Sequence, residues 1–212
     1  MRLTKLEHAA LVIEDSGDRL FIDPGNYTTP ITDATGAVAV VITHEHADHW
    51  SPEQLRRIVD ANPDVRLFGP AGVATAASEF PIETVAAGDE VEVGPFRLRF
   101  FGGRHAEIHS SIPIIDNVGV IVNEAFAYAG DSFVVPEGVA VDVLAAPAGA
   151  PWMKISESME YVRAVAPKRA FATHEMVLSQ FGKELSHARL AWAVEQSGGE
   201  YVRLEPGDTL DF

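Results

Sequence analysis

The chain contains no cysteine. Disulfides and thiolate ligands are therefore excluded, and any metal site must draw on His, Asp or Glu. The same absence fits a reducing compartment. Positive charge is scarce: 16 Lys and Arg stand against 31 Asp and Glu, a formal net charge of -15 over 212 residues. Such a surface repels a phosphate backbone, so nucleic acid is not an expected partner. A small anionic substrate stays compatible, because bound divalent cations would reverse the local field. Long hydrophobic runs are missing too. The apolar stretch at residues 9–13 is too short for a signal-peptide core, and none elsewhere reaches membrane-spanning length. The expectation is one cytoplasmic domain over residues 1–212 with a small-molecule substrate and no membrane partner; a homo-oligomer is left open.

What is present is an ordinary globular composition, 47% hydrophobic and 22% charged. Residues 3–8, 9–14, 19–23 and 37–43 read as short strands, with "DSGD" at 15–18 as a turn. "SPEQLRRIVDA" reads as a helix: Ser51 is the N-cap, Pro52 takes the first helical position, and Leu55, Ile58 and Val59 form its apolar face. Further strands are expected at 65–69, 91–93, 96–101, 118–122, 125–129, 141–145, 169–172, 201–204 and 209–212. "AGVATAAS" reads as a short helix or turn. Longer helices are expected at 155–166 and at 181–196, the latter stopped by Gly198 and Gly199. Strands come in runs with helices between them, in two halves. That pattern predicts an α+β fold of two sheets packed face to face, with helices on the outer faces.

One segment is chemically dense. "THEHADHW" at 43–50 places His44, His46, Asp48 and His49 directly after the buried strand at 37–42. A polar loop capping a helix is the bland explanation. It leaves several imidazoles and a carboxylate unpaired beside a core strand, which is costly. Divalent cations are the better explanation, with His44 and His46 converging on one ion while Asp48 and His49 face another. Four ligands cannot complete two sites. Other candidates also follow apolar strands: His105 and His109 in "FRLRFFGGRHAEIH", Asp131 in "AFAYAGDS" and His174 in "KRAFATHE". Gly102 and Gly103 can turn the chain sharply and bring His105 over the sheet edge. If residues 106–109 form a helical turn, His109 sits beside the metal as an acid or a substrate contact.

The ordered set His-x-His-x-Asp-His, a later His, Gly-Asp and a final His after a strand resembles the metallo-β-lactamase superfamily. "LFIDPG" near the N-terminus is similar to that family's early strand-Asp-Pro element. "DVLAAPAGAPWMKISESMEYVRAVAPKRAFATHE" resembles its ascorbate-6-phosphate lactonase-like branch. The resemblance implies a four-layer αββα sandwich of two mixed sheets. It implies a first metal held by His44, His46 and His105, a second held by Asp48, His49 and His174, and Asp131 bridging the two. It also implies a binuclear metal-dependent hydrolase of a small ester, lactone or phosphodiester. The two ions would be zinc first, with Mn²⁺ or Fe²⁺ as alternatives, and Asp48 or a metal-bound water could pass a proton to the leaving group. "RHAEIHS" stands where glyoxalase-type members carry His-Thr-x-Gly, which argues against thioester hydrolysis. The rivals are a mononuclear iron dioxygenase on the same fold and a metal-binding protein without turnover.

Other residues keep two readings. Asp23 is either a turn residue before Pro24 or an acceptor that orients a ligand histidine. His8 reads more simply as a satisfied histidine of a sheet than as part of a site. Tyr27, Trp50, Trp152 and Lys154 either line a substrate pocket or pack.

Overall fold

The computed structural model describes residues 1–212. The first half contains β1 (Arg2–Lys5), β2 (Leu11–Asp15), β3 (Asp18–Ile22), β4 (Ala37–Val41), α1 (Pro52–Ala61), β5 (Arg66–Gly69), α2 (Ala71–Ala76) and β6 (Ile82–Thr84). The second contains β7 (Glu90–Val93), β8 (Phe96–Arg104), β9 (Asp116–Val122), β10 (Phe126–Tyr128), β11 (Val143–Pro147), α3 (Ile155–Val165), β12 (Arg169–Thr173), α4 (Gln180–Gln196), β13 (Glu200–Tyr201) and β14 (Thr209–Asp211). Two seven-stranded sheets result, in the orders β14-β1-β2-β3-β4-β5-β6 and β13-β12-β11-β10-β9-β8-β7. Each is mixed. In the first, β14, β1, β2 and β3 pair antiparallel and β3 to β6 parallel; in the second, β7 to β10 pair antiparallel and β10 to β13 parallel.

The burial pattern explains the layering. Leu11, Ile13, Leu20, Ile22, Ala39 and Val41 from the first sheet meet Leu98, Phe100, Val120, Val122 and Phe126 from the second in one central core. The alternate residues face outward and are covered by helices. Phe21, Val40 and Leu67 pack with Leu55 and Ile58 of α1 and Val73 of α2. Leu144, Ala170 and Ala172 pack with Tyr161 and Val162 of α3 and Leu190 and Val194 of α4. Because both faces of the central strands are buried, they read in sequence as continuous apolar runs. The arrangement is the four-layer αββα sandwich. The α1 cap forms as expected, with the Ser51 hydroxyl accepting from the Gln54 amide at 3.3 Å.

Three local expectations are corrected. The first strand ends at Lys5, and His8 lies in a turn with φ 59°. Gly102 and Gly103 do not end β8; both have positive φ, yet they stay paired with Val118 and Asn117 of β9, so the strand runs on to Arg104. Residues 106–109 form no helical turn. Strand β6, a three-residue edge segment with two exposed positions, adds to those expected.

Candidate metal centre

The site lies at one edge of the two sheets, where loops leave β1, β3, β4, β8, β10 and β12. Six of the eight histidines gather there. His44, His46, His105 and Asp131 form one group, and His8, Asp48, His49 and His174 form another. Within each group the candidate ligand atoms lie within 4.8 Å of one another. Asp131 spans the two. Its Oδ1 is 3.2 Å from His49 Nε2, and its Oδ2 is 3.3 Å from His105 Nε2 and 3.2 Å from His174 Nε2.

Local structure fixes the ring orientations. His49 Nδ1 donates to Asp23 Oδ2 at 2.6 Å, and His174 Nδ1 donates to the Gly149 carbonyl at 2.7 Å. His105 Nδ1 donates to the Ala106 carbonyl. The Thr43 hydroxyl donates to Asp23 Oδ2 at 2.7 Å and accepts from His44 Nδ1 at 3.1 Å. Each of these four imidazoles is thus anchored through Nδ1 and turns its Nε2 toward the group, the outer support that metal-ligating histidines need. His46 is half-buried, and its Nδ1 lies 3.0 Å from His44 Nε2. Asp23 is resolved in favour of the orienting role. It is fully buried, accepts also from the Thr43 amide at 2.7 Å, and holds a left-handed backbone at φ 46°.

Asp131 is positioned by a buried staple. Asn117 accepts from the Asp131 amide at 3.0 Å and donates to the Ala129 carbonyl at 2.9 Å. Gly130 between them has φ 62°, and a Cβ there would stand 2.4 Å from Asn117 Oδ1, so only glycine fits. Trp152 Nε1 donates to Asp131 Oδ2 at 2.7 Å, placing Trp152 in the site. Trp50 is different: it is buried in the core under α1, and its Nε1 braces the Glu45 carbonyl at 2.9 Å. Lys154 is exposed at the start of α3, where its amide donates to Glu157 Oε2 at 2.6 Å.

His8 is the residue that sequence reasoning undervalued. It is fully buried and stands 3.0 Å from Asp48 Oδ2 through Nε2, while its Nδ1 accepts from the Met176 amide at 3.4 Å. Accepting on Nδ1 requires the proton on Nε2, so His8 donates to Asp48. No comparable signal marks it: the strand before His8, Arg-Leu-Thr-Lys, is mostly polar, unlike those before the other candidates. His109 stands in neither group. It is exposed, and its Nδ1 accepts from the Ser111 amide at 3.1 Å.

Electrostatics separate the histidines by their neighbours. Burial pushes His8 down to about 4 and His44 well below the usual imidazole range. Burial also acts downward on His49 and His174, but carboxylates outweigh it. Asp131 and Asp23 hold His49 well up, and Asp131 with Asp48 raises His174 to about 9. Burial would raise Asp131, yet His49 and His174 keep it ionised. Protons on two histidines thus balance carboxylates in the positions that cations would neutralise.

The donors fit divalent cations on an independent observation. Nε2 of His49, His105 and His174 and Oδ1 of Asp131 are buried without a well-formed hydrogen bond, although His49 Nε2 and Asp131 Oδ1 stand 3.2 Å apart. Orphaned buried polar atoms are rare and demand an occupant. Here all four converge, and they are imidazole nitrogens and a carboxylate oxygen, the ligand types of zinc and other first-row metals.

Fold and site together define a class. A family model described as Beta-lactamase superfamily domain matches residues 2–174, and the chain belongs to that superfamily of metallo-β-lactamase-fold hydrolases. Over 195 residues it is 38% identical to the Mycobacterium tuberculosis protein Rv0786c, covering 90% of this chain and 91% of that one. It is 32% identical over 161 residues to an Aeropyrum pernix protein named UPF0173 metal-dependent hydrolase, covering 67% of this chain and 64% of the relative. Among solved structures, Igni18, a novel metallo hydrolase from the hyperthermophilic archaeon Ignicoccus hospitalis, shares the fold with a TM-score of 0.77 at 19% identity, covering 100% of this chain and 98% of that chain.

Proposed function

We propose that this protein is a binuclear metal-dependent hydrolase of a small ester, lactone or phosphodiester. The observation that carries the reading is the convergence of Asp131 Oδ1 with the buried, unpartnered Nε2 atoms of His49, His105 and His174, whose rings are anchored through Nδ1 by Asp23, Ala106 and Gly149. His44, His46 and His105 would hold one ion and Asp48, His49 and His174 the other, with Asp131 between them. Zinc suits this donor set, with manganese or iron as alternatives. Two such cations supply Lewis acidity and a hydroxide nucleophile at neutral pH.

The chain's own groups do the rest. His8 and Trp152 hold carboxylate oxygens of Asp48 and Asp131 in place, at 3.0 and 2.7 Å. Asp48 is the least buried carboxylate of the site. It is therefore the group placed to take a proton and hand it to a leaving oxygen. The test is turnover by the metal-reconstituted protein on lactones, carboxylic esters, phosphodiesters, β-lactams and thioesters. Lactone, ester or phosphodiester turnover should exceed thioester turnover. A single tightly held iron with oxygen consumption and no hydrolysis would overturn the reading.

A further inference from the structure

The exposed large apolar side chains of this protein are not scattered. Ten are exposed, and seven of them stand on loops that bear the residues of the site. Tyr27 follows Asp23, Ile112 and Ile114 follow His105, Val134 follows Asp131, and Met176 follows His174, with a further valine beside each of the last two. Single exposed apolar residues need no explanation, but a concentration around one site does.

Several are anchored against the site itself. The Tyr27 ring lies edge-on to His8, with centroids 4.9 Å apart, and the Met176 amide donates to the same imidazole at 3.4 Å. Val134 lies 3.9 Å from the place a Cβ would take on Gly102 of β8. The loop bearing Ile112 and Ile114 is closed at its base by the His105 amide on the Ile115 carbonyl at 3.0 Å. It is tied to its neighbour by the Ala106 amide on the Asp131 carbonyl at 2.8 Å.

Charge on the same loops points the same way. Residues 24–36, 106–115, 132–142, 148–154 and 175–179 contain one Lys or Arg between them, Lys154. Phosphate and carboxylate groups are ordinarily held by arginine forks or lysines. The net charge of -15 adds no attraction for an anion.

We infer that these loops form an apolar collar around the metal centre, and that the substrate is an uncharged ester or lactone with an extended apolar body. This rests on the hydrolase reading above and narrows it away from phosphodiesters. In the reaction, the oxygen of water bonds to the acyl carbon, the acyl carbon–oxygen bond breaks, and the departing oxygen leaves with a proton. The released acid ionises.

The test pairs turnover with binding. Turnover of p-nitrophenyl acetate, butyrate and octanoate is compared with that of bis-p-nitrophenyl phosphate on the metal-loaded protein. Binding of the neutral fluorophore N-phenyl-1-naphthylamine is measured with and without metal, and displaced with octanamide. The collar predicts that kcat/KM rises on the order of 10- to 100-fold from acetate to octanoate, about 1.5- to twofold for each added methylene, as partial burial of the acyl chain gives. The double substitution Val134→Ser, Met176→Ser should flatten that dependence and weaken fluorophore binding about tenfold, with circular dichroism unchanged. Equal kcat/KM along the series, preference for the phosphodiester, or a dimer in sedimentation that the double substitution dissociates would each overturn the collar. Fluorophore binding that the double substitution removes, with no ester turned over, would support the collar and sink the hydrolase reading.

Discussion

His8 Nε2 stands 3.0 Å from Asp48 Oδ2, and the Met176 amide on His8 Nδ1 decides which nitrogen carries the proton. His8 therefore holds one oxygen of Asp48 so that the carboxylate faces His49 and His174. Removing it as His8→Ala should weaken binding of the ion on that side by about 10- to 100-fold and leave the ion on the His44, His46 and His105 side unchanged. His8→Gln, whose side-chain amide can still donate, should recover part of the loss. Equilibrium dialysis with Co²⁺ separates the two affinities. Equal weakening of both ions would make His8 a general packing residue.

Much of this site is legible in the sequence because most of its residues directly follow strands with an apolar core. His44 to His49, His105, Asp131 and His174 all obey that rule, and the sandwich brings those strand ends to one edge. His8 does not, because β1 reads Arg-Leu-Thr-Lys, and the extended reading of residues 3–8 conceals its turn. The chain leaves β1 at Lys5, and His8 is held at φ 59° by a contact far away in sequence, the His174 amide donating to the His8 carbonyl at 2.9 Å. Such a conformation in a residue other than glycine depends on tertiary contacts, not on local propensity. The same cause misleads at Gly102 and Gly103, where pairing with β9 overrides a pair of residues that would otherwise break a strand. Asp23 reads as a turn residue until Thr43 and His49 are brought against it.

A buried ion pair behind His174 is invisible in the sequence for the same reason. Lys5 Nζ bonds Glu175 Oε1, and both side chains are essentially inaccessible to solvent. His187 Nε2 lies 3.1 Å from the other Glu175 oxygen, and its Nδ1 is paired with the Tyr201 hydroxyl. Burial would raise Glu175, but His187 and Lys5 outweigh it and bring it down to about 2 from 4.5. A depressed carboxyl stabilises the fold above its unfolded pKa, and the contribution is lost as pH falls from 4.5 through about 2. Glu175→Gln leaves Lys5 buried without a countercharge and should cost about 3–5 kcal/mol at pH 7. It should also flatten the acid limb of the stability profile. Lys5→Met combined with Glu175→Met should regain much of the loss. Urea unfolding at pH 7 and pH 3 measures both effects; an unchanged midpoint in Glu175→Gln would contradict the account.

Cation binding should expel protons. His174 is raised to about 9 by Asp131 and Asp48 against its burial, and His49 is raised by Asp131 and Asp23. Both must be neutral to coordinate. Affinity should therefore climb as pH rises toward 9 and level off above it. Calorimetric titration of Zn²⁺ in buffers of different ionisation enthalpy should report more than one proton released per chain at pH 7 and fewer near pH 9.5. A heat independent of the buffer at pH 7 would show that those imidazoles are already neutral.

The central claim is that Asp131 joins two metal positions with separate ligand sets. Elemental analysis of the folded protein after metal loading and exhaustive dialysis tests it directly. Two divalent ions per chain are expected in the unmodified protein, one in His105→Ala, one in His174→Ala and two in His109→Ala. A single ion in the unmodified protein, or loss of an ion in His109→Ala with retention of both in His105→Ala, would contradict it.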